Sequence, residues 1–480
     1  MTLNRIILFA TVLTLFFLSC EKDSFTNDPN DVLQFSADTL TIDSIFTTVG
    51  STFKRLKIYN RHSESVLISD IRFANETQTS FKINVDGVSG KNFSNIAIPA
   101  QDSLYVSIEV TVDPTNANNP FIFQEPIFFT TNGVKQSVVL RAWAQNAYFH
   151  YGEILTSNTI WATDKPHVVV DRTDSANNFF PGLIIPNGVT LTIPAGARVH
   201  FTTNAGILCA GTLKAKGTLQ DSVLFRGIRL TKEYQHAAGQ WLGLLFLRNS
   251  KNNELLFTTV DESIFGLWLG FQPETKFGEA TDGTRSEISI KNSVIKNSYY
   301  WAIRSFNNTI YAENSLFFTC TENLCQLALG GDYEFNHCTF YNGYSKLNKT
   351  LLALSNQLID PNTNAIYRQN LSKANFTNCV WSSEYKETIQ VQMSGSMDSN
   401  YNFTNCLYRS DSSFTSNRFV NCIINNKPQF VSVSSDKEDF QLKATSPCKD
   451  AGVRINTILT DIKGNQRLDP KVDIGAYEAP

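Results

Sequence analysis

The five letters NFTNC occur twice in this chain, at Asn375 to Cys379 and at Asn402 to Cys406, 27 positions apart. Looser versions surround them: IKNSVI around Ser293, AENSLFF around Ser315, FNHCTF around Cys338 and FVNCII around Cys422. The shared pattern is apolar, any residue, Asn or His, then Ser or Cys, any residue, apolar. Subtracting residue numbers at the Ser/Cys position gives separations of 22, 23, 41, 27 and 16. A near-regular period in the twenties, carried by short segments without helical periodicity, is the mark of a β-solenoid.

In such a fold each coil adds short strands that stack on the coil before at about 4.8 Å, so equivalent positions lie above one another. Stacked Ser and Cys then line a narrow interior corner that has no room for Leu. Asn occupies the bend, because it tolerates the left-handed backbone, and its amide is expected to bond with the Asn of the next coil. The motif cysteines read as stacked buried thiols, which behave as small hydrophobes. The competing expectation is disulfide pairing. Cys209, Cys320, Cys325, Cys338, Cys379, Cys406, Cys422 and Cys448 form an even set, with Cys320 and Cys325 the best local pair.

Composition agrees with a β-rich chain too long for one ordinary core. The 480 residues are 12% aromatic and 18% charged with three Met, a profile of strands and polar turns rather than helical bundles. A formal net charge of −3 leaves no basic footprint, so nucleic acid is not an expected partner.

Upstream of the repeats, Asn187 to Ile228 alternates apolar residues with Pro-Ala-Gly, Ala-Gly-Thr and Lys-Gly-Thr turns. That block, with GQWLGLLFL from Gly239, resembles the first coils of bacterial right-handed parallel β-helix proteins. The segments DFQLKATSPCKDAG from Asp439 and DIKGNQRLDPKVDIGAYE from Asp461 resemble the closing module of exported β-helix proteins. The resemblance implies a β-helix over 155–438 and a closing module over 439–480, where Arg467 with Asp469 and Asp473 would supply paired charges at the solenoid edge. On the order of a dozen coils is expected from the length.

Residues 32–146 have another rhythm, about seven short alternating strands separated by Asn, Gly and Pro turns. IAIPAQDSLYVSIEVTVDP from Ile96 resembles the later strands of bacterial immunoglobulin-like domains. The fold class expected is therefore all-β: an N-terminal immunoglobulin-like β-sandwich followed by a right-handed parallel β-helix.

At the N-terminus, Arg5 precedes an apolar run from Ile6 to Leu18 and then Ser19-Cys20. The run is short for a permanent span and reads as a signal peptide over 1–19. Leu18-Ser19-Cys20 resembles a bacterial lipobox, and Lys22-Asp23 resembles the export signals of Bacteroidetes surface lipoproteins. That resemblance implies acylation of Cys20, a polar tether over 20–31, and anchoring through lipid to the outer membrane or cell surface, with the periplasmic face left open. Acyl chains contribute about 0.8 kcal/mol per buried CH₂.

Signatures of chemistry are sparse. The six histidines show no HExxH spacing and no CxxC pair occurs, so no metal site is expected; GxSxG, SxxK and Walker loops are missing as well. Because parallel β-helices include polysaccharide lyases and hydrolases, Asp261 and Glu262 with Lys296 or Arg304 on the next coil are candidate catalytic residues. Calcium would be needed only under that lyase alternative. Trp268, Tyr299, Tyr300 and Trp301 are candidate ligand-binding residues, since flat rings on the outer face can stack on a sugar. The expected function is recognition of glycan or another surface without catalysis, with polysaccharide as partner. A polysaccharide lyase or glycoside hydrolase, and a structural or adhesive rod, are the alternatives. Oligomeric state stays open.

Overall fold

The computed structural model describes residues 24–479, apart from 52, 116–119, 272–283, 344–349, 361–362, 385–386, 396–398, 412–416, 435–436 and 468–469, and the side chains of 43 and 44. Cys20, the signal segment, Asp469 and most of the insertion after Phe271 lie outside the described residues. Internal contacts divide the chain into Met1–Asn146 and Ala147–Pro480.

In the first unit two sheets enclose one core. One runs Gln34–Phe35, Lys54–Tyr59, Ser103–Val110, Phe81–Val85, Val88–Gly90; the other runs Thr39–Phe46, Val134–Gln145, Phe121–Thr131, Val66–Phe73, Asn92–Phe93. Alternation decides the inner faces. Leu56, Ile58, Val106 and Ile108 meet Ile68, Ile71, Phe129 and Leu140, all buried, while the residues between them turn outward. The segment expected as a free tether is, from Ser24 onward, part of this unit. Thr26 N–H bonds to Ser65 O at 3.0 Å, and Asp31 accepts from Thr26 Oγ1 at 2.6 Å and pairs with His62. Asp28 Oδ1 accepts from the Asn30 N–H at 2.9 Å, and Asn132 Nδ2 donates to the Asp28 carbonyl at 3.0 Å.

The second unit is three large parallel sheets of eleven, nine and ten strands among the described residues. The chain visits them in turn, as in Tyr148–Tyr151, Glu153–Ile154, Thr159–Ile160 and then His167–Val170, which pairs in parallel with Tyr148–Tyr151. This is a path consistent with a β-helix. It begins at Tyr148, ahead of the expected 155, because Tyr148 to Tyr151 already pairs with the coil that follows. The long interruption after Asn342 contains an antiparallel hairpin, Gln357–Ile359 with Ile366–Arg368, outside the three stacks.

The repeated motif explains one corner of the coils from Asn292 onward. Asn292, Asn314, His337, Asn378, Asn405 and Asn421 all have φ between 45° and 54°. These are left-handed positions, where Asn is the least strained residue after Gly. The next residue points inward: Ser293, Ser315, Cys338, Cys379 and Cys406 are wholly buried. Their side chains also take part in the stack. Thr258 N–H donates to Ser293 Oγ at 3.1 Å, Ser293 N–H to Ser315 Oγ at 3.2 Å, and Cys379 N–H to Cys406 Sγ at 3.4 Å. Aromatic columns run beside them, with ring centroids 4.7 Å apart for Phe317–Phe340, 3.7 Å for Phe340–Trp381 and 4.6 Å for Phe376–Phe403. Offset rings at one coil spacing gain stacking energy in addition to area burial.

Two expectations need correction. All eight cysteines from Cys209 onward are free thiols, so the pair Cys320–Cys325 is not a disulfide; burial pushes the Cys209 and Cys448 thiols up to about 12. The bend amides, moreover, do not form a continuous Asn ladder. Asn314, Asn378 and Asn405 donate to Thr460 O, Val453 O and Ala451 O at 2.7, 2.7 and 2.8 Å. The C-terminal segment thus lies along the flank, where it covers outward-facing Leu316, Phe318, Tyr341, Val380 and Leu407 with Phe430, Phe440, Ile462 and Ile474. Within it Arg467, wholly buried, pairs with Glu478 and donates to Gly475 O and Asn314 Oδ1. The counter-charge in direct contact is Glu478; Asp473 contributes its backbone carbonyl to Arg467.

Replacing Cys379 by Leu is expected to cost about 1–3 kcal/mol through overpacking of the corner. Cys379→Ser should cost less, since Ser293 and Ser315 occupy the same position; urea denaturation of both variants measures the difference. Glu478→Gln leaves the Arg467 guanidinium buried without its carboxylate and should cost about 3–5 kcal/mol on the same assay.

Candidate functional site

Register places the candidate side chains. In the nine-stranded sheet Leu267–Phe271 pairs with Ile303–Phe306, Trp268 opposite Arg304. Leu267, Leu269, Ile303 and Ser305 are buried, so alternation turns Trp268 and Arg304 outward on adjacent coils. The corner 299–301 is fixed by backbone bonds to the coil before: Tyr299 N–H to Ser263 O, Tyr300 N–H to Ile264 O, and Gly266 N–H to Trp301 O.

The result is a strip of rings. The Arg304 guanidinium lies 4.0 Å from the Trp301 ring centre, 4.5 Å from Trp268 and 4.7 Å from Phe306. Phe265 stacks on Tyr300 at 5.4 Å, and Tyr299 meets Tyr300 edge-on at 4.8 Å. Tyr299 is 48% exposed; Tyr300, Trp301 and Trp268 are half-buried. All four aromatic candidates therefore come together. Beside Trp268, Phe271 opens onto an apolar cavity of about 480 Å³ lined also by Phe180, Ile184, Leu208 and Leu245. Sequence reading missed this cavity, although Ile184, Leu208 and Leu245 form one outward column by register.

The charged candidates divide. Asp261, Glu262 and Lys296 meet on the eleven-stranded sheet; Arg304 does not join them. Between Ser298 and Ile303 the chain turns a corner, which carries Arg304 to the neighbouring sheet. Lys296 Nζ lies 3.7 Å from Asp261 Oδ2 and 3.5 Å from Glu438 Oε2. Asn297 donates to Asp261 Oδ1 at 2.8 Å. Glu262, wholly buried with φ 65°, accepts from Arg226 Nη2 at 2.7 Å and from the His236 backbone N–H at 3.1 Å. Burial, then the Asp261 charge, pushes Glu262 up to about 7 against the pull of Arg226. Burial also raises Glu438, opposed by Lys296 and His236. Beside this cluster His236, Asn297, Thr319, Tyr341, Glu438 and Phe440 line a cavity of about 290 Å³.

Arg226, His236 and Glu438 were not anticipated. Arg226, Asp261 and Lys296 follow one another at 35-residue intervals, one coil each, and that period was a usable signal. Glu438 comes from the hairpin Phe430–Ser434 with Lys437–Leu442, 142 positions beyond Lys296, and nothing local announces it. Among the described residues no three His, Cys, Asp or Glu side chains are arranged to hold a metal ion.

No family model matches the chain, and no curated protein matches it. Among solved structures, a family 123 glycoside hydrolase from Clostridium perfringens aligns at 13% identity over 24% of this chain and 26% of that one, with a TM-score of 0.17. The ASH/PapD-like domain of human CEP192 aligns at 9% identity over 27% of this chain and 94% of its own length, TM-score 0.18. Pseudomonas fluorescens alkylpurine DNA glycosylase AlkC aligns at 12% identity over 27% of this chain and 33% of its own, TM-score 0.15. The fold described above accordingly stands on its strand pairing alone.

Proposed function

We propose that the protein is a lipid-anchored envelope protein, acylated at Cys20 and held at the outer membrane or cell surface. In this reading the first unit is an immunoglobulin-like spacer, and a right-handed parallel β-helix recognises glycan without catalysis. The observation that carries it is the ring strip Tyr299, Tyr300, Trp301 and Trp268, gathered from adjacent coils on an outward face. A rigid row of half-exposed rings presents flat apolar area at low entropic cost, which suits the faces of pyranose rings.

Against catalysis at the sequence candidates stands their mutual neutralisation: the ammonium of Lys296 lies between two carboxylates and Glu262 is sealed against Arg226. A second reading, glycoside hydrolysis, is favoured by the raised carboxyl of Glu438, which faces a cavity beside His236 and can act as a proton donor.

Trp301→Ala should weaken binding on a glycan array about tenfold, the equivalent of about 1.4 kcal/mol, with the thermal midpoint recorded as a folding control. Unaltered affinity in a folded variant removes the ring strip as the site. For the second reading, release of reducing ends from a polysaccharide panel is the test. Any such activity should fall by about 10²–10⁴-fold in Glu438→Gln if Glu438 is the acid.

A further inference from the structure

The cations of the second unit are not equivalent. Lys296 and Arg226 contact carboxylates directly. Arg304 has no carboxylate partner among the described residues, and burial alone pulls it down, to about 10. A guanidinium withdrawn from water is costly unless its charge and donors are matched. The faces of Trp268 and Trp301 offset part of that cost, but ring faces take no N–H from the guanidinium edge.

The unmatched donors and acceptors lie in one column. Among the described residues Arg304 Nε has no acceptor, and neither does Trp268 Nε1 on the coil before; Gln326 Oε1 on the coil after has no donor. Register sets these three residues opposite one another, Trp268 against Arg304 and Arg304 against Gln326. Successive strands are about 4.8 Å apart, so two N–H donors and one acceptor line up over about 10 Å. Buried polar atoms without partners mark a place where something else supplies them.

We propose that the column Trp268, Arg304 and Gln326 is a subsite for an anionic group, a carboxylate or sulfate borne by an acidic glycan, with Arg304 as its anchor. The inference rests on the glycan reading above and narrows it to acidic polymers. Oxygens of the anion accept from the outer nitrogens of the Arg304 guanidinium; Trp268 Nε1 and Gln326 Oε1, buried in the free chain, join as donor and acceptor as their side chains swing outward on binding. The planar fork of Arg304 lies against two indoles, and no carboxylate among the described residues has to be displaced.

The test uses the full chain, titrated calorimetrically with polygalacturonate, its methyl ester, dextran and dextran sulfate. Wild-type protein should bind polygalacturonate or dextran sulfate at least tenfold more tightly than the matching uncharged polymer, and the charged pair member that binds identifies carboxylate or sulfate as the source. Arg304→Met should abolish that preference while the weak binding of the uncharged polymer persists, and its thermal midpoint should not fall, because an unmatched buried charge is removed. If Met at this position unfolds the chain, the acid-versus-ester comparison on wild-type protein decides by itself. Equal binding of charged and uncharged polymers overturns the anionic subsite and leaves glycan recognition standing. No binding to any of the four overturns both.

Discussion

From Asn292 onward the second unit depends on one corner repeated from coil to coil, a left-handed Asn or His followed by a Ser or Cys that is buried in five of the six copies. The left-handed residue turns the chain sharply enough to start the next strand. The small residue leaves room for that turn and, through its hydroxyl or thiol, accepts the backbone N–H of the neighbouring coil. The inward position has no room for a large side chain, which is why it alternates only between Ser and Cys, whereas the left-handed position points outward and also accepts His337. With the corner fixed, every inward position falls above its equivalent, and the aromatic columns Phe317–Phe340–Trp381 and Phe376–Phe403–Phe419 follow from register alone.

The same register that stacks the core also stacks the surface. Outward residues one coil apart become neighbours, so a function is written across the strands. On one sheet this produces Ile184, Leu208, Leu245, Trp268, Arg304 and Gln326 in succession, apolar at one end and polar at the other. On another it produces Arg226, Asp261 and Lys296, charges of alternating sign, of which Lys296 pairs with Asp261 and Arg226 with the adjacent Glu262. The contrast is between a sheet whose outward charges meet counter-charges and one whose outward Arg304 meets no carboxylate among the described residues.

How much of this was legible in the sequence follows from the distance between interacting residues. The large stacked parallel sheets, consistent with a solenoid, were readable because the Ser/Cys corner recurs at a period in the twenties, and the grouping of the aromatic candidates was readable because three of them are adjacent in the chain. The grouping of Arg304 with Asp261 failed because a corner intervenes between Ser298 and Ile303, and spacing along the chain does not reveal which sheet a residue joins. Glu438, and the course of the C-terminal segment along the flank, were not readable at all. They depend on contacts made across many coils, for which no periodicity exists.

That C-terminal course has a kinetic meaning. Coil-to-coil contacts join residues 22 apart in Ser293 and Ser315 and 35 apart in Thr258 and Ser293, so each new coil can add to its neighbour with little loop closure. Arg467 and Asn314, by contrast, are separated by 153 residues. Loop closure thus separates two natural stages, a zipping of neighbouring coils over short loops and a docking of the last segment that must close a far longer one. Until that docking, Leu316, Val380 and Leu407 face water as a continuous apolar stripe, so the interval between the two stages is when the chain is most prone to associate with copies of itself.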